Sequence, residues 1–392
     1  MRPRFLGAAT LVAAVAVVAG ACGSNSKTSG GTTGATQAQA KPASICGSGG
    51  TAQSLAPSGI TKLVGGASSL SGAGATFPAP LYSLWTSDFK TAEGVQVAYQ
   101  SIGSGGGVQQ ISAQTVDFGA SDAPMKDTET AGAKGGPILH IPTVFGAVVP
   151  TYHLSGRKSG LNFTGEVLGK IFAGKITTWN DPELTGLNPD AKLPSTPIAV
   201  VHRSDGSGTT SIWTDYLTKT SPTWVSALGA GKSAGKDVAW PTGIGGKGNE
   251  GVSGAVNQTD GALGYVELQY ALAQSLPVGY VQNKAGKFIQ PCVETVTAAA
   301  QGFSFPPDLR FSLTDAPGTD AYPISGATWL LVYQNQKDPA KAKALVNFLS
   351  WIMDSGQKTA STLNYAPLSP DLRTLAIAQI KKITLNGTPL VQ

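Results

Sequence analysis

The chain has 392 residues, of which 41% are apolar and 13% are charged, and its formal net charge is +5. Such a chain is long enough to bury two hydrophobic cores, and its composition excludes wholesale disorder. Lysine and arginine nowhere cluster among aromatic residues, which excludes a groove that follows a nucleic-acid backbone. The sequence therefore predicts a globular protein of two lobes with no nucleic-acid partner.

The N-terminal segment has the pattern of an export signal. Arg2 and Arg4 precede an apolar stretch, and the sequence Ala-Gly-Ala-Cys follows it. We predict a signal peptide over residues 1–21, and cleavage before Cys22 is typical of a bacterial lipoprotein. Lipidation of Cys22 would anchor the mature protein to the outer face of the cell membrane. An ordinary secretory signal, which would leave a soluble periplasmic protein, and an uncleaved anchor are the alternatives.

A polar segment rich in Gly and Ser follows the predicted cleavage site. We predict that residues 22–65 form a lipid-anchored flexible tether and that the folded body begins near Gly66. Two further cysteines, Cys46 and Cys292, are candidates for a disulfide in an oxidising compartment. Their separation in the sequence says nothing about their distance in space, so pairing and non-pairing both stay open.

Strands and helices alternate along the predicted body. Residues 95–102 and 115–121 have the β-branched and aromatic pattern of strands, and a helix is predicted to start between them at 108–113. This alternation indicates a mainly parallel sheet. Asp338, as N-cap ahead of a proline, predicts a packing helix that ends at Gly356.

Two long apolar runs, 138–152 and 322–333, are predicted to cross between the lobes. This divides the body into lobe I and lobe II. Lobe I comprises residues 66–145 and 322–392, and lobe II comprises residues 146–321.

Four separated stretches share one form, a short apolar run followed by small residues rich in Gly, Ser and Thr. They are Gly72–Pro78, Ile102–Gly107, Asp117–Pro124 and His202–Thr210. Three of them offer hydroxyls and bare amides where a helix could begin, and a helix N-terminus binds anions through such amides and through its dipole. A plain turn is the alternative for each stretch alone. Their joint occurrence favours one shared oxyanion site.

Two charged residues refine this prediction. Arg203 follows a strand predicted at 198–202, at the carboxyl end where open α/β sheets bind ligands, and its guanidinium can clamp two oxygens. Asp205 is predicted to hold Arg203 in place.

The ionised carboxylate of Asp122 only accepts hydrogen bonds, so it favours a ligand that can donate one. Hydrogen phosphate has such a proton, whereas sulfate at neutral pH has none. Capping a helix or turn is the alternative role for Asp122.

Enzyme classes find little support in the sequence. The three histidines, His140, His153 and His202, have no metal-ligand spacing. The G-x-S-x-G match at 231–235 and the G-x-G-x-x-G match at 246–251 have no apolar strand ahead of them, so we predict loops at both. We therefore predict no catalysis, no cofactor and no metal.

The four stretches, together with Ile171–Asp181, Gly245–Val252 and Gly261–Glu267, closely resemble the phosphate-binding protein family of the bacterial high-affinity phosphate ABC importer. The resemblance runs from about Gly72 to about Pro370. It implies an α/β, two-lobed periplasmic-binding-protein-like fold of type II, in which two hinge crossings join the lobes around a central cleft.

The resemblance also implies a function and a ligand set. The protein would act as a monomer outside the cytoplasm, capture inorganic phosphate and deliver it to the membrane permease subunits of an ABC importer. A receptor for sulfate or molybdate is the nearer alternative, and a surface phosphatase is the more distant one. Carried over position by position, the phosphate contacts fall on Thr76, Phe77, Ser104, Asp122, Arg203, Ser207, Gly208 and Thr209. The long tether, and His202 where another basic residue is common, depart from the family pattern outside these contacts.

Overall fold

The computed structural model describes residues 46–47 and 55–391. The predicted signal peptide and the lipidation site Cys22 lie outside these residues. In the described part of the chain, no helix combines the length and the apolar character needed to cross a lipid bilayer.

The described residues form short helices and strands that alternate along most of the chain. The strands are β1 (Ser69–Gly74), β2 (Gln96–Ser101), β3 (Phe118–Ser121), β4 (Ile138–His153), β5 (Asn162–Phe163), β6 (Ala199–Arg203), β7 (Ile244–Gly246), β8 (Ala262–Glu267), β9 (Tyr280–Gln282), β10 (Phe288–Ile289), β11 (Ser325–Tyr333), β12 (Asn335–Gln336), β13 (Thr384–Leu385) and β14 (Thr388–Pro389). The α-helices are α1 (Ala79–Glu93), α2 (Ser104–Ser112), α3 (Asp127–Ala131), α4 (Gly165–Phe172), α5 (Pro182–Leu187), α6 (Gly208–Thr220), α7 (Pro222–Leu228), α8 (Gly248–Gln258), α9 (Leu268–Ala273), α10 (Val293–Ala300), α11 (Pro339–Trp351), α12 (Gln357–Thr359) and α13 (Pro370–Ile380).

Eight of these described strands form one sheet in the order β2-β1-β3-β11-β4-β8-β6-β7. At one end β1 pairs in parallel with β2 and β3, and at the other end β6 pairs in parallel with β7 and β8. The central pairings, β3 with β11, β11 with β4, and β4 with β8, are antiparallel. The sheet is therefore mixed rather than mainly parallel, because the two long strands that cross its middle run in opposite directions.

The strand β4 connects the two halves of the sheet. It is 16 residues long, and all but its two end residues are buried. Its first part pairs with β11 as far as Ala147, and its second part pairs with β8 from Val148 onwards. The strand β11 starts at the same level, because Ser325 is the partner of Ala147. Both predicted crossings are thus strands of one sheet, while the lobe boundaries at 145/146 and 321/322 remain a prediction.

Helix α11 begins as its sequence predicts. The Asp338 side chain accepts hydrogen bonds from the amides of Ala340 and Lys341, and Pro339 occupies the first helical position. The apolar side chains of Leu345 and Leu349 are buried, each worth about 1.5–3 kcal/mol of transfer free energy. The helix does not stop at Gly356, because a π-helical turn over Ile352–Gly356 leads directly into α12.

Residues 55–65 contact the body, although the sequence predicts that they belong to a flexible tether. The amide and hydroxyl of Ser58 donate to the two carboxylate oxygens of Asp354 at 2.6 and 2.7 Å. The side chain of Asn347 pairs with both backbone groups of Leu63 at 2.9 Å. The packed body therefore starts before the predicted boundary at Gly66. Composition could not show this, since the contacts join single polar side chains that lie almost 300 residues away in sequence.

The cysteines Cys46 and Cys292 are joined by a disulfide, with their Cα atoms 5.8 Å apart. Cys292 is the N-cap of α10, so the bond ties the N-terminal segment to that helix. The sequence leaves open whether these two cysteines pair, and the structure shows them paired.

Candidate functional site

The predicted ligand residues come together at the carboxyl ends of the strands. Thr76 and Phe77 follow β1, Asp122 follows β3, and Arg203 is the last residue of β6. All eight predicted residues are buried: Thr76, Phe77, Ser104, Asp122, Arg203, Ser207, Gly208 and Thr209. The fold therefore gathers the four stretches that the sequence singled out.

Two helices begin at this site. Ser104 is the first residue of α2, and Ser207 caps α6, where its hydroxyl accepts a 3.0 Å hydrogen bond from the amide of Thr210. The stretch Gly72–Pro78 also leads into a helix, but Thr76 and Phe77 lie in the turn before it, because Pro78 is the N-cap of α1. The N-terminal ends of α2 and α6 thus lie beside this turn.

Backbone amides at the site have no acceptor within the described residues. The amides in question are those of Thr76, Phe77, Ser104, Gly208 and Thr209. Native proteins pair more than about 90% of their buried amides, and an unpaired one costs on the order of 1–3 kcal/mol. Five unpaired amides among the eight predicted ligand residues indicate a site that can donate hydrogen bonds to a bound acceptor.

Asp122 supplies the opposite function, that of an acceptor. Its Oδ2 accepts from the Ser104 hydroxyl at 3.3 Å, while its Oδ1 is buried and has no hydrogen-bond partner among the described residues. Burial raises the pKa of Asp122 to about 7, although the Thr328 hydroxyl, the Arg203 guanidinium and the Ser104 hydroxyl favour its ionised form. The carboxylate is therefore placed to take a hydrogen bond, or a proton, from a ligand.

Arg203 is held by Asp205, as predicted. Its Nε and Nη2 donate to the two carboxylate oxygens at 2.7 and 2.6 Å, a bidentate ion pair in a site where the Arg203 side chain is 1% exposed. Burial acts to raise the pKa of Asp205, but the hydrogen bonds and the charge of Arg203, together with backbone amides such as that of Gly248, outweigh it and leave that pKa below its ordinary value. The pair leaves Nη1 directed at Thr209, 3.5 Å from its hydroxyl oxygen. Arg203 can therefore present one edge to an anion without changing its rotamer.

The two halves of the sheet meet closely around these residues. The amide of Gly105, in α2, donates to the carbonyl of Gly206, before α6, at 2.8 Å. A Cβ placed on Gly208 would lie 2.5 Å from the Cβ of Asp122. Lys236 forms a 2.6 Å ion pair with Glu129 across the same gap. The structure thus shows the cleft closed.

The sequence does not single out the residues that hold the predicted ligand residues in place. The hydroxyl of Tyr270 donates to the carbonyl of Thr76 at 2.6 Å, and that of Tyr365 lies 2.7 Å from the carbonyl of Phe77. Asn249 donates to the hydroxyl oxygens of Thr76 and Thr209. Tyrosines in apolar segments look like core residues, so no local signal could have marked them.

The glycine motif at 246–251 is not the loop that was predicted. The short strand β7 precedes it, and α8 begins at Gly248, whose φ of 70° favours glycine. A strand of three residues is too short for periodicity to reveal. The Gly248 amide donates to Asp205 at 3.0 Å, so this helix end supports the Arg203 pair. The match at 231–235, by contrast, lies in a segment without helix or strand, as predicted.

Comparison with known proteins places this fold and site in a family. A family model described as a PBP superfamily domain matches residues 25–355. A curated phosphate-binding protein PstS of Xylella fastidiosa is 45% identical over 306 residues, which cover 77% of this chain and 82% of that protein. The chain belongs to the PstS family of the PBP superfamily. Another PstS protein, PstS3 of Mycobacterium bovis, is 33% identical over 387 residues, and the match covers 95% of this chain and 96% of that protein.

Solved structures agree with the PstS assignment at the level of the fold. PfluDING, a high-affinity periplasmic phosphate-binding protein solved with bound phosphate, is 22% identical with a TM-score of 0.65, and the match covers 79% of this chain and 93% of that one. The two-lobed, mixed α/β fold expected from the sequence is thereby confirmed.

Proposed function

We propose that the protein binds inorganic phosphate in its closed cleft. The observation that carries the proposal is the unpartnered Oδ1 of Asp122, a buried acceptor set among buried donors. Hydrogen phosphate satisfies both classes of group at once. Its protonated oxygen donates to Asp122, while its other oxygens accept from the unpartnered amides, from hydroxyls and from Arg203. The names of the relatives support the same ligand.

A receptor for sulfate or molybdate is the nearest competing function, because helix ends and an arginine bind any small oxyanion. Asp122 argues against sulfate. An anion without a proton would place oxygen against carboxylate oxygen in a buried site, and sites built around a ligand hydrogen bond reject analogues that lack it by on the order of 10⁴-fold.

The wider role follows the family. We propose that the mature protein is a monomer outside the cytoplasm, anchored through lipid on Cys22, and that it delivers phosphate to the permease subunits of an ABC importer. Release there requires the lobes to open, since all eight proposed ligand residues are buried in the closed form. We propose no catalytic turnover, because the relatives are named as phosphate-binding proteins and no histidine is among the eight proposed ligand residues.

Calorimetric titration of the mature chain, residues 22–392, at pH 8, where Asp122 is mainly ionised, tests the proposal. We expect tight binding of phosphate, weak or undetectable binding of sulfate, and no hydrolysis of a phosphate monoester. Sulfate affinity within tenfold of phosphate affinity would favour the competing oxyanion receptor, and turnover of the monoester would favour the phosphatase.

A further inference from the structure

We infer that Asn249 sets the direction of the Thr76 and Thr209 hydroxyls, and so decides which ligand oxygens the site takes. This inference rests on the proposed function and deepens it, because it assigns a specificity-determining positioning role to a residue outside the eight ligand residues. Asn249 is fully buried near the N-terminus of α8, within the glycine motif described above.

The hydroxyl of Thr76 is restricted first. Its Oγ1 accepts from the side-chain Nδ2 of Asn249 at 2.7 Å and from the backbone amide of the same residue at 3.3 Å. A hydroxyl oxygen has two lone pairs and one proton. Both lone pairs are engaged, so Thr76 can only donate to any further partner.

The hydroxyl of Thr209 is restricted in the same way. Its Oγ1 accepts from Nδ2 of Asn249 at 3.1 Å and from Nη1 of Arg203 at 3.5 Å. In the described part of the chain neither threonine hydroxyl has an acceptor for its own proton. Two buried hydroxyls thus have donation as their remaining hydrogen-bonding capacity.

The orientation of the Asn249 amide is fixed from its other side. Its Oδ1 accepts a 2.9 Å hydrogen bond from the backbone amide of Glu267, so the oxygen faces β8 and the nitrogen faces the two threonines. Both protons of Nδ2 are used, one on Thr76 beside β1 and one on Thr209 in α6. The side chain therefore links the two halves of the sheet at the site.

The consequence for the ligand is a fixed distribution of acceptors and donors. The oxygens opposite Thr76 and Thr209 must accept, and the ligand proton is left to the oxygen that faces Asp122. Asn249 and Asp122 together define the ligand class as a tetrahedral oxyanion that carries one proton. Without the Asn249 amide, each hydroxyl could rotate and accept from a protonated oxygen, which would weaken that definition.

A double-mutant cycle separates this role from a purely structural one. Phosphate affinity is measured for the wild type, for Asn249→Ala, for the variant with Thr76→Val and Thr209→Val, and for the variant with all three changes. We expect Asn249→Ala to weaken phosphate binding roughly 10- to 100-fold alone and less than about threefold when both hydroxyls are already gone. Equal losses in the two backgrounds would overturn the inference. A wild type that did not bind phosphate would instead overturn the proposed function.

A second variant guards against a folding defect. Asn249→Asp keeps the shape of the side chain but replaces the donating nitrogen with an acceptor, which would draw both threonine protons away from the ligand. We expect a loss at least as large as that of Asn249→Ala, and a smaller loss in the background lacking both hydroxyls, where only the added negative charge still repels the anion. The matched control is Asn283→Asp, another buried asparagine whose amide donates to backbone carbonyls far from the ligand residues in sequence. It should lower thermal stability and leave phosphate affinity within about threefold. Full affinity in the folded Asn249→Asp variant would contradict the inference.

Discussion

Gly105 and Gly206 join the two halves of the sheet by a backbone hydrogen bond of 2.8 Å. A Cβ on Gly105 would lie 3.1 Å from the Cα of Gly206, so the two turns approach as closely as their lack of side chains allows. The neighbouring Gly208 is tighter still, because its Cβ would lie 2.6 Å from both Oδ2 of Asp122 and Oγ of Ser104. The closed cleft therefore depends on glycines where the loops meet.

Gly208→Ala should prevent closure around the ligand. The added methyl group meets the Cβ and carboxylate of Asp122, which cannot move away without losing their contact with Ser104. We expect phosphate affinity to fall by on the order of 100-fold or more, as is common for an overpacked contact worth about 1–3 kcal/mol or above. Isothermal titration calorimetry measures the loss. Because Gly208 begins a helix at an ordinary φ, the free energy of unfolding should change by no more than about 1 kcal/mol.

Gly254→Ala is the matched control for that variant. Gly254 lies in the middle of α8, and nothing comes within 4 Å of a Cβ placed on it. Alanine should stabilise the helix by roughly 0.5–1 kcal/mol and leave phosphate affinity unchanged. If Gly254→Ala weakened binding as much as Gly208→Ala, the steric explanation would be wrong.

Asp122→Asn should narrow the preference for phosphate over sulfate. The amide keeps one acceptor oxygen but adds an N–H that can donate to an unprotonated anion. We expect phosphate affinity to fall and sulfate affinity to rise or hold, so that the ratio of the two dissociation constants shrinks by at least about tenfold. Competition titrations with both anions at pH 8 give this ratio. An unchanged ratio would show that selectivity lies elsewhere.

The raised pKa of Asp122 also predicts how stability depends on pH in the absence of anion. The folded protein keeps the proton of Asp122 up to about pH 7, whereas the unfolded chain releases it near its ordinary pKa of 3.8. The contribution of Asp122 is therefore most favourable below pH 4, is lost as pH rises from about 4 to 7, and is constant above that range. The total is on the order of 4 kcal/mol.

Asp122→Asn removes this dependence, so the variant is the reference for measuring it. Urea unfolding at several pH values should show the wild type losing stability relative to the variant as pH rises through the window. Glu267 also has a pKa raised by burial, and the charge of Asp122 raises it further, so the difference between the two proteins reports the titration of Asp122 together with its coupling to Glu267. A difference that stayed flat with pH would contradict the assignment.

The eight proposed ligand residues could be singled out from the sequence because their chemistry is local. Arg203 ends a strand and Ser207 caps the start of a helix. At both positions, residue type and place in the element together indicate anion binding. The residues that support them are not local. Asn249 reaches Thr76 across 173 positions of sequence, and Tyr365 reaches Phe77 across 288. Only the folded structure brings such pairs together.

Some features of the fold could also be predicted from the sequence, and others could not. Long apolar runs such as 138–152 indicated the two crossings, but a run of residues does not show whether its neighbours are parallel or antiparallel. The attachment of residues 55–65 was missed because Ser58 and Leu63 bind polar side chains that composition cannot pair in advance. Short strands such as β7 leave no periodic pattern at all.

Breaking the disulfide between Cys46 and Cys292 should lower stability without affecting the ligand site. The bond closes a loop of 246 residues in sequence and so restricts the unfolded chain, an effect typically worth about 2–5 kcal/mol. The amide and the sulfur of Cys292 hydrogen-bond to Thr295, which is not among the proposed ligand residues. Thermal unfolding of Cys292→Ser should therefore show a lower midpoint, while phosphate titration gives the wild-type affinity. A loss of affinity would indicate that the N-terminal segment takes part in binding.

The most direct test is a paired calorimetric titration of the mature wild-type chain with phosphate and with sulfate at pH 8, where Asp122 is mainly ionised. We expect one site per chain, tight binding of phosphate, and sulfate binding weaker by on the order of 10⁴-fold because sulfate cannot donate a hydrogen bond to Asp122. No phosphate binding, or sulfate binding of comparable strength, would contradict the claim that buried donors and one buried acceptor converge on a protonated oxyanion.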